Sequence, residues 1–202
     1  MGKRQAIIFD MGNVVISFSH KKMVEQVSKV THLPVEKIHE LLIQSGLGLQ
    51  YERGEVTSRD LYQILREHAP KPFDYEHFIE AGCNIFTPRP EMIEVLKRLK
   101  EKGLYLLLLS NTNEAHFDYI SKRYDFVSLF DAHLLSFRLK KMKPEKEIYE
   151  AAILASKTPI EGCFYIDDIP EYVAAAKTLG LEGHVYRSFP LFIEALRAEQ
   201  VL

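Results

Sequence analysis

Short apolar runs that stop at a polar residue recur along the chain: Ala6 to Phe9 before Asp10, Leu104 to Leu109 before Ser110, and Cys163 to Ile166 before Asp167. Gly183 to Tyr186 reads the same way, and Ala132 to Leu135 is a weaker member of the set. Unbroken apolar runs of this length predict strands buried on both faces of a parallel sheet. The segments between them have helical spacing. Met92, Ile93, Leu96 and Leu99 follow Pro90 and stop before Gly103; Phe117, Ile120 and Tyr124 form a second stripe. Ile148, Ala151, Ala152 and Ala155 form a third, and Val173, Ala176 and Leu179 before Gly180 a fourth. Strands alternating with helices at this pitch predict an α/β fold whose parallel sheet is covered by helices on both faces.

The stretch from about Ser17 to Phe86 breaks the alternation. Its stripes are Met23, Val27 and Val30, then Ile38, Leu41 and Leu42 after Pro34. Leu61, Ile64 and Leu65 follow a Thr57-x-x-Asp60 capping pattern, and Phe78 and Ile79 follow Asp74. These predict four short helices without a strand. The expected organisation is therefore an α/β core at 1–16 and 87–202 and a small all-helical cap at 17–86. The hinges fall near 16–20 and 84–89.

With 202 residues, the chain has room for one large domain or a core with one insertion. Hydrophobic residues make up 47% and charged residues 27%, a globular composition. Lysine and arginine number 26 against 28 acidic residues, a net charge of −2, so the overall balance favours neither a nucleic-acid nor a membrane partner. No apolar run approaches the ~20 residues of a membrane span, and neither a signal peptide nor a transmembrane segment is expected. Cys83 and Cys163 form no disulfide framework and no zinc motif, which points to a reduced, cytoplasmic setting. The eight histidines are scattered, and no glycine-rich nucleotide cradle is present.

Ligands of open parallel sheets bind beyond the carboxyl ends of the strands, so the residues closing each apolar run carry the candidate chemistry. They are Asp10-Met11-Gly12-Asn13, Ser110-Asn111-Thr112 and Asp167-Asp168, with Lys143-Pro144 before a helix start. Taken singly, each also serves as turn, cap or solvated-surface chemistry. Asp167 and Asp168 are harder to read that way, because adjacent carboxylates behind a buried strand repel unless positive charge sits between them. Together the segments supply carboxylates for a hard cation, donors for an anion and a lysine point charge, which is an inventory for phosphoryl transfer.

Four segments in this order resemble the motifs of the haloacid dehalogenase-like hydrolase superfamily: Ile7-Ile8-Phe9-Asp10-Met11-Gly12-Asn13-Val14, Leu109-Ser110-Asn111-Thr112, Lys143-Pro144-Glu145 and Tyr165-Ile166-Asp167-Asp168. Ser110 lies 100 residues beyond Asp10, Lys143 a further 33 and Asp167 a further 24, with the helical insertion in the first gap. The resemblance covers essentially the whole chain. It implies a Rossmann-like core with a helical cap, and a phosphomonoester hydrolase working through an aspartyl-phosphate. Asp10 would be the nucleophile. Asp10, the Gly12 carbonyl and Asp167 would hold Mg2+, with Asp168 behind them as an orienting acid. Ser110, Asn111 and Lys143 would bind the phosphoryl group. The implied substrate is a small phosphorylated metabolite, a sugar phosphate, bound by a monomer or weak homodimer.

Most phosphatases of the superfamily carry a second aspartate two residues after the nucleophile, and Gly12 stands there instead. Phe9-Asp10-Met11-Gly12-Asn13-Val14 and Tyr51-Glu52-Arg53-Gly54-Glu55-Val56 resemble the glucose-1-phosphate phosphatase branch, in which glycine also occupies that position. Where that branch has asparagines after the acidic pair, this chain has Ile169 and Tyr172. Aspartate at position 12 is expected to preserve or raise activity with poor leaving groups. Glu52 and Arg53 are read as a cap-loop pair that contacts substrate hydroxyls or forms a turn-stabilising salt bridge, and His20 as a further proton donor. The alternatives are a metal-independent 2-haloacid dehalogenase and a catalytically weak binding or regulatory protein on the same fold.

Overall fold

A computed structural model of the chain describes residues 4–202; residues 1–3, assigned above to the core, lie outside the described residues. The first half runs β1 (Ala6–Phe9), β2 (Ile16–Phe18), α1 (His20–Thr31), α2 (Val35–His39), α3 (Leu47–Glu52), α4 (Ser58–His68), α5 (Tyr75–Cys83) and β3 (Phe86–Pro88). It continues through α6 (Pro90–Glu101), β4 (Tyr105–Ser110), α7 (Glu114–Arg123), β5 (Ala132–Leu135) and α8 (Ser136–Leu139). The last part is α9 (Lys146–Ala155), β6 (Cys163–Asp167), α10 (Pro170–Thr178), β7 (Gly183–Val185) and α11 (Phe189–Ala198).

Five parallel strands form the sheet in the order β5-β4-β1-β6-β7. β1 is central: Ile8 pairs with Leu107 on one side and Tyr165 on the other. Alternation along the strands divides the core into two layers. Ile7, Phe9, Leu106, Leu108 and Ile166 face α6, α7 and α11, while Ala6, Ile8, Leu107, Leu109 and Tyr165 face α9 and α10. Both faces are covered, as the unbroken apolar runs require.

Between β2 and β3 the helices enclose a third apolar cluster, with Val27, Ile38, Leu42, Tyr51, Leu65 and Phe78 among its members. The block differs from expectation in two respects. It contains an additional helix, α3, whose Leu47 and Tyr51 share one face, and a π-helical turn at Glu40–Gln44 that continues α2. The segments expected as bare hinges pair as an antiparallel ribbon, with Ser17 opposite Thr87 and Phe18 opposite Phe86. The ribbon crosses the expected boundaries at 16/17 and 86/87, and three-residue strands are too short to show a period of two.

Leu108 has no exposed surface, whereas Leu154 on α9 is 82% exposed. Leu108→Ala should lower the unfolding free energy in urea by about 2–5 kcal/mol. Leu154→Ala should leave it within about 0.5 kcal/mol. Similar losses at both positions would contradict the two-layer core.

Candidate active site

The sheet delivers the predicted residues to one edge. Asp10 is the first residue beyond β1, and its N–H still donates to the Ile166 carbonyl at 2.8 Å, fixing it beside β6. Ser110 and Asp167 are the last residues of β4 and β6, and Lys143 lies in the loop between α8 and α9. All four are buried. They line a pocket of about 190 Å³ with Gly12, Asn111, Asp168, Tyr172, Glu52, His20 and His116.

Lys143 is the hub. Its Nζ donates to Asp10 Oδ1 at 2.5 Å and to Asp167 Oδ2 at 2.6 Å. The Tyr165 hydroxyl also donates to Asp167 Oδ2, and the Ile169 N–H donates to Asp167 Oδ1 at 2.8 Å. Asn13, in a left-handed conformation with φ 54°, donates from Nδ2 to Asp168 Oδ2 at 3.2 Å. Burial pushes the Asp10 carboxyl up to about 7; Lys143 opposes that rise, and Asp167 and Asp168 add to it. Burial alone would lower Lys143, but Asp10 and Asp167 outweigh it and hold the group above its ordinary value as an ammonium. Burial, then Asp167, raises Asp168.

One ammonium thus faces three carboxylates in a poorly solvated pocket, and negative charge is left over. Asp10, Asp167 and Asp168 each offer an oxygen, all within 4.8 Å of one another. Hard oxygen donors carrying excess negative charge fit a small divalent cation.

Two of the expected site residues make protein contacts, and for Arg53 these are of the salt-bridge kind. The Asn111 side chain is not free for a phosphoryl group: its Oδ1 accepts from the Lys143 N–H at 2.9 Å and its Nδ2 donates to the Lys143 carbonyl at 3.1 Å. It positions Lys143. Ser110 Oγ has only a marginal 3.5 Å bond to the Asn111 carbonyl, so its hydroxyl is available. Arg53 does not line the pocket. Its guanidinium is held by Glu145 at 2.5 Å and Glu55 at 3.5 Å, which makes it a clasp between the helical block and the loop after Lys143. Glu52 ends α3 rather than lying in a loop, and it does line the pocket. Burial pushes its carboxyl up to about 7, against the pull of Lys143.

Sequence reading missed the groups that hold the helical block over this edge. Ser136 Oγ donates to the Glu52 carbonyl at 2.6 Å and accepts from the Thr112 N–H at 2.9 Å, tying α3 to the loop after β4. Glu114 accepts from both the N–H and the hydroxyl of Ser58 at 2.7 Å. Tyr172 presents its ring 5.1 Å from Lys143 Nζ. Only the position of Ser136 and Tyr172 beside candidate motifs could have signalled them.

Glycine at position 12 has a local cause. A Cβ there would lie 2.9 Å from Cε1 of Phe18, whose ring is held between His20 and Phe86. The ribbon occupies the space beside position 12, so a side chain there requires the Phe18 ring to shift.

The fold and site define a class: an α/β protein whose strand-end carboxylates surround a buried ammonium beneath a helical block. Residues 5–180 match the haloacid dehalogenase-like hydrolases, and the chain belongs to that family. It is 26% identical over 180 residues to the sesquiterpene phosphatase astK of Aspergillus oryzae, covering 89% of this chain and 88% of that one. It is 22% identical over 183 residues to the D-ribitol-5-phosphate phosphatase of Bacteroides thetaiotaomicron, covering 87% and 88%. Among solved structures, a family enzyme of Bacteroides thetaiotaomicron in complex with magnesium and inorganic phosphate superposes with a TM-score of 0.82 at 26% identity, covering 93% of this chain and 96% of that one. The L-2-haloacid dehalogenase of Xanthobacter autotrophicus superposes with a TM-score of 0.63 at 16% identity, covering 98% and 84%, a likeness of fold alone.

Gly12→Ala should lower the unfolding free energy by about 1–3 kcal/mol through overpacking. Adding Phe18→Ala should recover part of that loss. Strictly additive losses in this double-mutant cycle would show that Phe18 does not impose the glycine.

Proposed function

We propose that the protein is a magnesium-dependent phosphomonoesterase acting on small phosphorylated metabolites, sugar phosphates among them, through an aspartyl-phosphate on Asp10. The observation that carries this reading is the buried Asp10–Lys143–Asp167 cluster, with its uncompensated negative charge, at the carboxyl edge of the sheet. The phosphatase relatives and the magnesium and phosphate complex of the Bacteroides enzyme support it.

Magnesium, when bound, would be held by Asp10, the Gly12 carbonyl and Asp167, and would supply the positive charge that lets an anionic carboxylate approach an anionic phosphoryl group. Asp168, held by Asn13, is the orienting acid beside them. Ser110 Oγ and the Asn111 N–H donate to phosphoryl oxygens, and the Lys143 ammonium neutralises them. An Asp10 oxygen bonds to phosphorus as the bond from phosphorus to the alcohol oxygen breaks. Water then attacks phosphorus, the bond to Asp10 breaks, and phosphate leaves.

Gly12 moves no proton, and Glu52 is the group in the pocket suited to that work. Near neutrality its carboxyl is partly protonated. His116 is not suited: burial pushes it down to about 4, and Nε2 contacts the Gly82 carbonyl at 3.2 Å while Nδ1 contacts Asn113 at 3.0 Å. Burial also lowers His20. Glu52 gives its proton to the departing alcohol oxygen and regains one from the attacking water.

The helices of 17–86 are proposed to act as a cap on the core of 1–16 and 87–202. Their separate apolar cluster and the Ser136–Glu52, Glu114–Ser58 and Arg53–Glu145 contacts support that division. Among the described residues no helix is long and apolar enough to cross a membrane. Cys83 and Cys163 are free and buried, which supports a cytoplasmic setting.

On a panel of phosphomonoesters that includes glucose 1-phosphate, excess EDTA and Asp10→Asn should each abolish phosphate release. Full turnover under either condition would contradict the mechanism. Because the working form of Glu52 in the first step is protonated, kcat for alkyl phosphates should fall as pH rises through about 7. Glu52→Gln should remove that limb and lower kcat about 10²-fold for alkyl phosphates, with a much smaller effect on p-nitrophenyl phosphate, whose leaving group needs no proton. Equal losses on both substrates would assign Glu52 a structural role.

A further inference from the structure

A second cavity, of about 370 Å³, lies inside the helical block, walled by Met23, Val27, Leu42, Leu61, Phe78 and Ile79. It adjoins the Asp10 pocket: His20, Leu49, Glu52 and His116 line both. We infer that this cavity seats the alcohol portion of the substrate, and that the preferred substrates are phosphomonoesters of an alcohol carrying an extended apolar chain or ring system. The inference rests on the phosphatase reading and names the substrate class of that same site.

Three observations carry it. The first is the connection at Glu52. A substrate with its phosphoryl group among Asp10, Ser110 and Lys143 and its body in the apolar cavity places the ester oxygen at the junction, where Glu52 stands.

The second is the state of the polar groups deeper in the cavity wall: apart from the Glu52 carboxyl and His20, which also line the Asp10 pocket, Tyr51, Asn113 and His116 are already engaged with protein partners. The Tyr51 hydroxyl is paired with Ser58 at 2.5 Å, both His116 ring nitrogens are occupied, and the Glu52 carbonyl is taken by Ser136. A hydroxyl-rich alcohol pushed into this space would leave its own polar groups unpaired, a cost that apolar carbons do not incur.

The third is uncovered apolar surface at the same place. Leu49 is 62% exposed and Ile43 41%, and both line the cavity. Ile43 and Leu42 come from the π-helical turn, a departure from regular helix that often marks a functional site. The turn is pressed against α3, where a Cβ on Gly48 would lie 2.5 Å from the Leu42 carbonyl oxygen. The wall is thus a tightly packed surface rather than a loose seam.

The size sets the length. An apolar cavity of about 150 Å³ accommodates benzene, so on that scale this one takes on the order of ten to fifteen carbons.

The test is a series of n-alkyl phosphates from methyl to dodecyl, below their micelle concentrations and with magnesium, beside glycerol phosphate and ribitol 5-phosphate. kcat/KM should rise about fourfold per methylene and level off near ten carbons, with the hydrophilic esters no better than methyl phosphate. Gly82 lines the cavity and its Cβ direction is open, so Gly82→Leu should fill the space and flatten the dependence on chain length. A flat series in the unmodified protein, or a preference for the polyol esters, overturns the inference while leaving the phosphatase reading standing. If no ester in the series is hydrolysed, the phosphatase reading fails, and calorimetry decides the cavity separately. Decyl phosphate binding at least tenfold more tightly than glycerol phosphate upholds the apolar subsite, and equal affinities overturn it.

Discussion

The structure depends on one buried ammonium. Lys143 lies between Asp10 and Asp167, from which water is largely excluded, and its charge offsets that of the two carboxylates it bonds. Removing one partner of such a set leaves an uncompensated charge, a loss of about 3–5 kcal/mol in comparable cases. The fold commits several elements to keeping the ammonium in place: Asn111 clasps its main chain on both sides, Tyr172 offers a ring face, and Tyr165 fixes the shared oxygen of Asp167. The three carboxylates still exceed the one ammonium, and that remaining imbalance is what makes a divalent cation and an anionic substrate natural occupants.

The same economy of space explains the glycine after the nucleophile. The ribbon joining the helical block to the sheet brings Phe18 against position 12, so the chain gives up a proton-transfer side chain next to Asp10. A carboxyl of suitable character reappears from the opposite side, on the last residue of α3. Burial raises Glu52 just as it raises Asp10, but the two differ in their partners: Asp10 is bonded to Lys143, and Glu52 feels that ammonium only through space. In the proposed mechanism the carboxyl bonded to the ammonium attacks phosphorus and the other moves the proton.

The legible and illegible parts of this molecule divide along a physical line. Ala6–Phe9, Tyr105–Ser110 and Cys163–Asp167 could be read because a strand buried on both faces is apolar throughout, and the polar residue that ends each one marks the sheet edge. Asp10, Ser110 and Asp167 followed from that edge, and Lys143, in a loop before a helix, from the family resemblance. The helix at Leu47–Glu52 was missed because it spans barely two turns beside Gly46 and Gly48, too short for its spacing to stand out. The Arg53–Glu145 clasp joins residues 92 positions apart, and no local pattern encodes such a pair. The task of the Asn111 side chain was illegible for a related reason: a side chain next to a ligand site is as readily spent on positioning a neighbour as on the ligand.

The central claim is that Asp10 becomes covalently phosphorylated during turnover. The most direct measurement is an acid quench of the protein during hydrolysis of a phosphomonoester labelled in its phosphoryl group, followed by peptide mapping. The label should appear on the peptide containing Asp10, be labile to hydroxylamine as an acyl phosphate, and be absent from Asp10→Asn. Steady release of labelled phosphate with no acyl-phosphate on that peptide, under conditions that trap one in a phosphatase known to form it, would contradict the account.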